Sequence, residues 1–366
     1  MPALDTGDKK AVLVFEELAM KRRKCKNIVL GKRNVLEQLA KSKHLSEPIK
    51  EIYRIIANRA SESRLILSTV KKYCRIMGNP ICERTVYHDG QEIIQVSIKE
   101  MIDLDLMDLT IIVTENPDDV QLYYIIGQYY MKHFKFGNLK IDFEERAGGG
   151  DTTARVLEAI INEKNRMCFC IVDSDKKYKG ASPGNTMGKI MNIAENYPQK
   201  FYEVILMELQ EIENLIPLSV IEHVGKNISN AQKGIDFYKF LVGKADNEGQ
   251  TSYYYFDIKK GIPQKYFVLK NDATNEEKRT FRKKENYRKY WEIYIKEYLQ
   301  IIDAVGEYTI PGVCEKILKH AIEYFSKMIK EEKFDSYEVD AYIENVWLEY
   351  GAKIVSWGCV GNRIAT

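Results

Sequence analysis

The chain has 366 residues, 45% of them hydrophobic and 30% charged, with a formal net charge of +2. That length allows two or three domains with a substantial core, and the balance is that of an ordinary soluble globular protein rather than a repetitive or low-complexity one. The seven cysteines are scattered and odd in number, with no paired spacing of the metal-binding kind, and no signal peptide or long apolar run is present. Reduced thiols and a cytoplasmic location without a membrane partner are therefore expected.

Residues 1–107 read as a mostly helical region. A polar start is followed by Ala11-Val12-Leu13-Val14-Phe15 and the basic run Lys21-Arg22-Arg23-Lys24, which reads as a solvated helix face. From Asn34 to Met77 apolar residues recur at helical spacing: Leu36, Leu39, Ile49, Ile52, Ile55 and Ile56, then Leu65, Ile66, Val70 and Tyr73. Gly78-Asn79-Pro80 ends that pattern. Residues 81–98 read as a β-hairpin turning at His88-Asp89-Gly90. A partner surface, a dimerisation unit or a specificity module would each fit this region, so a homo-oligomer is compatible with it.

Residues 108–218 alternate strand-like and helical stretches. Leu109–Val113 ends in Thr114-Glu115-Asn116-Pro117-Asp118-Asp119. Leu139–Phe143 leads to Gly148-Gly149-Gly150-Asp151, and Met167–Val172 ends in Asp173-Ser174-Asp175-Lys176-Lys177. Tyr202–Leu209 runs into Gln210-Glu211-Ile212-Glu213-Asn214. Helical periods fill the gaps at Asp118–Phe134, Thr152–Asn165 and Thr186–Asn196. Short apolar runs alternating with amphipathic helices predict an α/β fold, a parallel sheet flanked by helices, with Cys168 and Cys170 as small core residues on one buried strand. Working residues gather beyond the carboxyl ends of such strands. Carboxylates gathered there repel one another unless a cation lies among them, and oxygen-only ligands suit Mg2+ or Mn2+.

Residues 219–366 read as a helical region rich in tyrosine. Between Tyr253 and Tyr298 the cations Lys259, Lys260, Lys265, Lys278, Arg279, Arg282, Lys283 and Lys284 interleave with Tyr253, Tyr266, Phe281, Tyr287 and Trp291. Cations neutralise phosphates and aromatic faces stack on bases, so Lys259, Lys260, Arg279, Arg282, Lys283 and Lys284 are candidate nucleic-acid contacts. A helix with an aromatic core stripe and solvated cations is the equal alternative. Residues 312–350 read as two more helices, and the tail at Trp357-Gly358-Cys359-Val360-Gly361 carries no signal.

Glu115 with Asp119 four residues on, a glycine loop, Asp-x-Asp at a strand end and Glu211-Ile212-Glu213-Asn214 resemble, in that order, the TOPRIM fold. That fold is a Rossmann-like parallel sheet found in primases, topoisomerases and nucleases of the overcoming-lysogenization-defect class. The resemblance covers residues 108–218, under a third of the chain. Asn116 stands where that class has glycine, and asparagine is the residue that best replaces glycine in a left-handed turn. The ATPase motif of many such nucleases is missing, so the resemblance implies a separate ATPase or regulatory partner, as in effectors of anti-phage defence.

The resemblance implies a metal-dependent nuclease acting on DNA or RNA. Glu115 and Asp119 would hold one Mg2+ or Mn2+ ion, while Asp173, Asp175 and Glu211 or Glu213 shape a second. Gly148, Gly149 and Gly150 would approach a phosphate, with Asp151 or Thr152 capping the next helix. Lys176 or Lys177 would offset charge on the phosphorane. Each feature has a plainer reading: a capped helix start for Glu115 and Asp119, turn residues for Asp173 and Asp175, solvated side chains for Glu211, Glu213 and the two lysines. Nucleotidyl transfer and a non-catalytic partner-binding module are the competing functions.

Overall fold

The computed structural model describes residues 8–78, 84–137, 139–163, 165–197, 201–248, 251–270, 272–301 and 310–364. The chain divides into two compact units. The first comprises Met1–Ile171, Ile193–Ile205 and Trp347–Thr366, and the second Val172–Asn192 and Leu206–Val346. Each is assembled from separated stretches, so the units cut across the three segments expected from the sequence.

The first unit begins with α1 (Lys9–Arg23), α2 (Arg33–Ala40), α3 (Glu47–Asn58) and α4 (Ala60–Thr69). The apolar positions Leu36, Leu39, Ile49, Ile52 and Ile56 are buried as the helical spacing predicts, against Val14, Phe15 and Ala19 of α1. Tyr53 Oη, inside this cluster, donates to the Phe15 carbonyl at 2.8 Å. The basic run is not uniformly solvated: Arg22 is only 6% exposed. Nor does the helical pattern continue to Met77. Helix α4 ends at Thr69, and Lys72–Met77 forms strand β1. The expected hairpin is β2 (Thr85–His88) and β3 (Gln91–Ser97), with residues 81–83 outside the described set. Asp89 and Gly90 both take positive φ, as the tight turn requires. Strand β1 pairs in parallel with β3 from Lys72↔Glu92 to Met77↔Ser97. Parallel pairing with a segment beyond an intervening strand leaves no mark on local periodicity, which is why β1 reads as helix. A capping box at Ser97 and Glu100 then starts α5 (Ile98–Asp103).

Next come β4 (Ile111–Thr114), α6 (Pro117–His133), β5 (Lys140–Ile141), β6 (Glu144–Ala147), α7 (Thr153–Glu163), β7 (Cys168–Val172), α8 (Asn185–Asn196) and β8 (Tyr202–Leu206). The main sheet is all parallel, in the order β6-β4-β7-β8, and helices flank it. Every residue of β4 and β7 is buried, the reason both are continuous apolar runs. The strand expected at Leu139–Phe143 is not the one in the sheet. Lys140–Ile141 pairs antiparallel with Cys359–Val360, and only Glu144–Ala147 joins the sheet, in register Ile111↔Glu144 to Thr114↔Ala147. The tail that carried no sequence signal therefore has a structural role. Trp357 stacks on Phe169, Phe169 on Phe143, and the Trp357 carbonyl accepts from Thr110 Oγ1 at 2.7 Å.

The second unit contains α9 (Leu218–Gly225), α10 (Gln232–Glu248), α11 (Asn275–Lys283), α12 (Glu285–Ile301), α13 (Ile317–Lys330) and the start of α14 (Ala341–Gly358). Its core is aromatic: Phe237, Tyr238, Phe256, Trp291 and Tyr298. Tyr253, Tyr287 and Trp291, expected as stacking faces for bases, are 2%, 7% and 1% exposed and belong to this core. Among the described residues no helix is long and apolar enough to cross a membrane.

Candidate functional site

In the first unit, Glu115 is the residue after β4 and Asp119 lies in the first turn of α6. Asp119 is buried, and its Oδ2 accepts from the Asn116 amide at 2.9 Å, closing the helix start. Asn116 is extended, at φ −129°, so this turn needs no left-handed residue and the replacement of glycine there costs nothing. The Gly148 amide donates to Thr114 O at 2.8 Å and the Gly149 amide to Glu115 O at 2.9 Å. These bonds prolong the ladder between β4 and β6, so two of the three amides expected to meet a phosphate are spent within the fold. Gly149 and Gly150 take φ of 70° and 65°, and a Cβ on Gly148 would collide with Thr153. The hydroxyls of Thr152 and Thr153 turn back to the carbonyls of Gly148 and Gly150.

In the second unit, the segment after β7 is held by its backbone. Ser174 is fully buried and donates to Leu209 O at 2.6 Å, and the Asp175 amide donates to Gln210 O at 2.8 Å. Asp175 takes φ 55°, a left-handed conformation that few non-glycine residues adopt and that aspartate tolerates better than most. Gly184 leaves room for it, since a Cβ there would strike the Asp175 side chain. The Lys176 amide donates to Ser174 Oγ at 3.2 Å. Lys177 Nζ is 3.8 Å from Asp175 Oδ1 and 3.7 Å from Glu211 Oε1, with its side chain 38% exposed. The Lys177 carbonyl accepts from Trp291 Nε1 at 2.9 Å, which ties this segment to the aromatic core.

Glu211-Ile212-Glu213-Asn214 forms a single 3-10 turn, with Ile212 and Leu215 buried. Asn214 holds it from both sides. Its Oδ1 accepts from the Glu211 amide at 3.1 Å, and its Nδ2 donates to Tyr253 O and Phe256 O at 3.0 and 2.9 Å. That anchorage carries the following residues Asp257 and Lys259 to the two glutamates. Lys259 Nζ is 3.0 Å from Glu211 Oε2 and 3.1 Å from Glu213 Oε1. Lys259, its side chain 27% exposed, thus supplies a cation to the two glutamates of which the sequence expectation gave one to a second metal ion together with Asp173 and Asp175. Sequence reasoning had no means to pair it with a turn so far upstream. The one available signal was that glutamates flanked by buried apolar residues need a cation.

The protonation pattern follows from this packing. Burial pushes the Glu213 carboxyl up, with Lys259 opposing and Glu211 reinforcing. Burial would also lift Glu211, but Lys259 and Lys177 overcome it and hold that carboxyl below its ordinary range. For Lys259 burial works to depress the ammonium, and Glu213 and Glu211 outweigh it and raise it. Asp257 is raised, first by burial and then by Glu211, while its Oδ1 accepts from the Lys260 amide at 2.8 Å. Glu213 Oε2 is buried without a hydrogen-bond partner.

The remaining candidates stand apart from this cluster. Lys260, Arg279, Arg282 and Lys283 are exposed, and Lys284 lies over the rings of Tyr266 and Tyr287. Among the described residues no group of three or more His, Cys, Asp or Glu side chains is placed to hold a metal ion. The donor chemistry, carboxylates alone, suits Mg2+ or Mn2+. Of the expected ligands, however, Asp119 spends an oxygen on the helix start and Glu211 and Glu213 face Lys259. A two-ion arrangement therefore does not fit these side chains as they stand. Comparison with protein-family models, curated proteins and solved structures gives no match to this chain.

Proposed function

We propose that this chain is a phosphodiesterase of the TOPRIM type that cleaves DNA or RNA with Mg2+ or Mn2+. The observation that carries this reading is the strand order. With β4 first in the sheet, β6 lies on one side of it and β7 on the other, so the winding reverses between β4 and β7. In open parallel sheets ligands bind outside the carboxyl ends of the strands at such a reversal. Glu115 is the residue after β4, and Asp173 is the residue after β7. The TOPRIM resemblance would make each of these carboxylates a ligand of an ion that, when bound, lowers the pKa of an attacking water.

The protein's own groups have separate roles in this reading. Lys177, partly exposed and 3.7–3.8 Å from the carboxylates facing it, would offset charge on a phosphate oxygen. Asn214 positions Glu211, and Glu211 with Glu213 keeps Lys259 charged. The exposed cations Arg279, Arg282 and Lys283 of α11 would neutralise the substrate backbone. One observation favours a different reading, a non-catalytic partner-binding module. Lys259 pairs with both Glu211 and Glu213, so that turn already has a cation beside its carboxylates.

The two readings part on one experiment. Wild type, Glu115→Gln and Asp173→Asn are incubated with plasmid, single-stranded DNA and total RNA in Mg2+, Mn2+ or EDTA. The nuclease reading expects metal-dependent cleavage that falls by more than about 100-fold in each variant, because even the outer partners of metal ligands are worth about 10–100-fold. Absence of cleavage in every sample, together with absence of Mn2+ binding by calorimetry, would leave the binding module.

A further inference from the structure

The first unit carries a half-open pocket of about 50 Å³, lined by residues of α1, α3 and α4, the loop at residues 28–30, Leu139 and the tail residues Asn362 and Ile364. By the roughly 10–15 Å³ that one water needs, it has room for three or more waters or one tetrahedral oxyanion. Part of its wall is apolar, with Ile28, Ile55 and Ile66. The rest is charged and polar. Arg22, 6% exposed, donates from Nη1 to Asn362 O at 2.6 Å, and its guanidinium lies so close to Gly361 that a Cβ there would collide with it.

Burying a guanidinium is expensive unless an anion compensates it. Among the described residues none does. The charged and titratable neighbours of Arg22 are the guanidinium of Arg59 and the thiols of Cys25 and Cys359, and burial pushes the Cys359 thiol up to about 12. Glu62, on the exposed rim, forms an ion pair with neither arginine. Burial and the like charge of Arg59 both weaken the hold of Arg22 on its proton. Two further polar groups complete the wall: buried Ser63 and Asn362, whose Oδ1 is buried without a hydrogen-bond partner.

We propose that this cavity is an oxyanion site that takes a hydrogen-phosphate group, free or at the end of a small phosphate monoester. Its oxygens would accept from Arg22 and Arg59 in the planar geometry guanidinium favours. Its remaining O–H supplies the donor that Asn362 Oδ1 lacks, which neither a carboxylate nor a sulfate can do at neutral pH. The site fastens the end of α1 to the C-terminal tail, so its occupant would stabilise the folded chain.

The test uses the full chain, melted at constant ionic strength with chloride replaced stepwise by inorganic phosphate, glycerol phosphate or sulfate. The proposal expects a saturable rise in Tm with phosphate. General salting-out by such anions does not saturate. Sulfate should act roughly tenfold or more weakly, as should phosphate on Arg59→Gln, each lacking one charge-assisted hydrogen bond. Arg22→Met should lose the saturable response while melting no lower than wild type in chloride, because it removes an uncompensated charge. A greater response to glycerol phosphate than to phosphate would identify a monoester as the occupant, and the reverse the free ion. A wild type without saturable response, or an Arg59→Gln variant that responds like wild type, would overturn the proposal. Equal response to sulfate would overturn the hydrogen-phosphate assignment.

Discussion

Lys259 in the second unit and Arg22 in the first are both cations largely withdrawn from water, and their surroundings differ in kind. Lys259 meets two carboxylates presented by a single turn, 3.0 and 3.1 Å away. Arg22 meets a second guanidinium, two thiols and a carbonyl oxygen. Among the described residues, the first charge meets carboxylates and the second meets none. Burial of a charge by itself therefore says little about function, and what matters is whether the compensating charge is built in.

The largest effect that would break this comparison is at Lys259. Its replacement by methionine strands Glu211 and Glu213 without a cation and should destabilise the protein by about 3–5 kcal/mol in urea unfolding. In a Glu211→Gln, Glu213→Gln background the same replacement should cost less than about 1.5 kcal/mol, because no buried carboxylate is left unbalanced. Equal costs in both backgrounds would mean that Lys259 acts through packing, and the contrast with Arg22 would fail.

A pH series sharpens the same point. The Glu213 carboxyl is raised from its ordinary 4.5, so its contribution to stability is full below that value and is lost as pH rises through the folded-state value. Glu211 is lowered, so its contribution is present above 4.5 and is lost as pH falls through its folded-state value. Unfolding free energies measured from acid to neutral pH should show Glu211→Gln losing ground to wild type as pH rises toward 4.5, and Glu213→Gln gaining on wild type as pH rises above 4.5. Parallel curves for the two variants would show that Lys259 does not distinguish the carboxylates. The smallest effect is expected at α11, where Arg279, Arg282 and Lys283 are exposed. Arg279→Gln with Arg282→Gln should change stability by no more than about 0.5 kcal/mol, yet reduce the salt slope of nucleic-acid binding by about one per cation removed.

How far the sequence anticipated this molecule depends on the range of the interactions involved. β4, β7 and helices α6 to α8 were legible because continuous burial and amphipathic period are written into consecutive residues. The hairpin was legible because Asp89-Gly90 satisfies a local backbone requirement. β1 was not, because Lys72–Met77 continues the apolar spacing of α4 and becomes a strand only by pairing with β3. β5 was expected in the main sheet in place of β6, because its true partner, Cys359–Val360, lies near the other end of the chain. The candidate acidic residues were identified by their place after strands. That Asp119 closes a helix, that Glu211 and Glu213 share a lysine and that Asp175 takes a left-handed backbone were all invisible.

The sequence by itself determined the alternation of strands and helices, the parallel character of the sheet and the positions of Glu115 and Asp173 at strand ends, since each follows from patterns over a few adjacent residues. Only the tertiary structure decided which charges are balanced. Pairing a buried lysine with a distant turn, or leaving a buried arginine without a carboxylate, depends on contacts between segments far apart in the chain, and electrostatic energy depends on distance and burial rather than on order in the sequence.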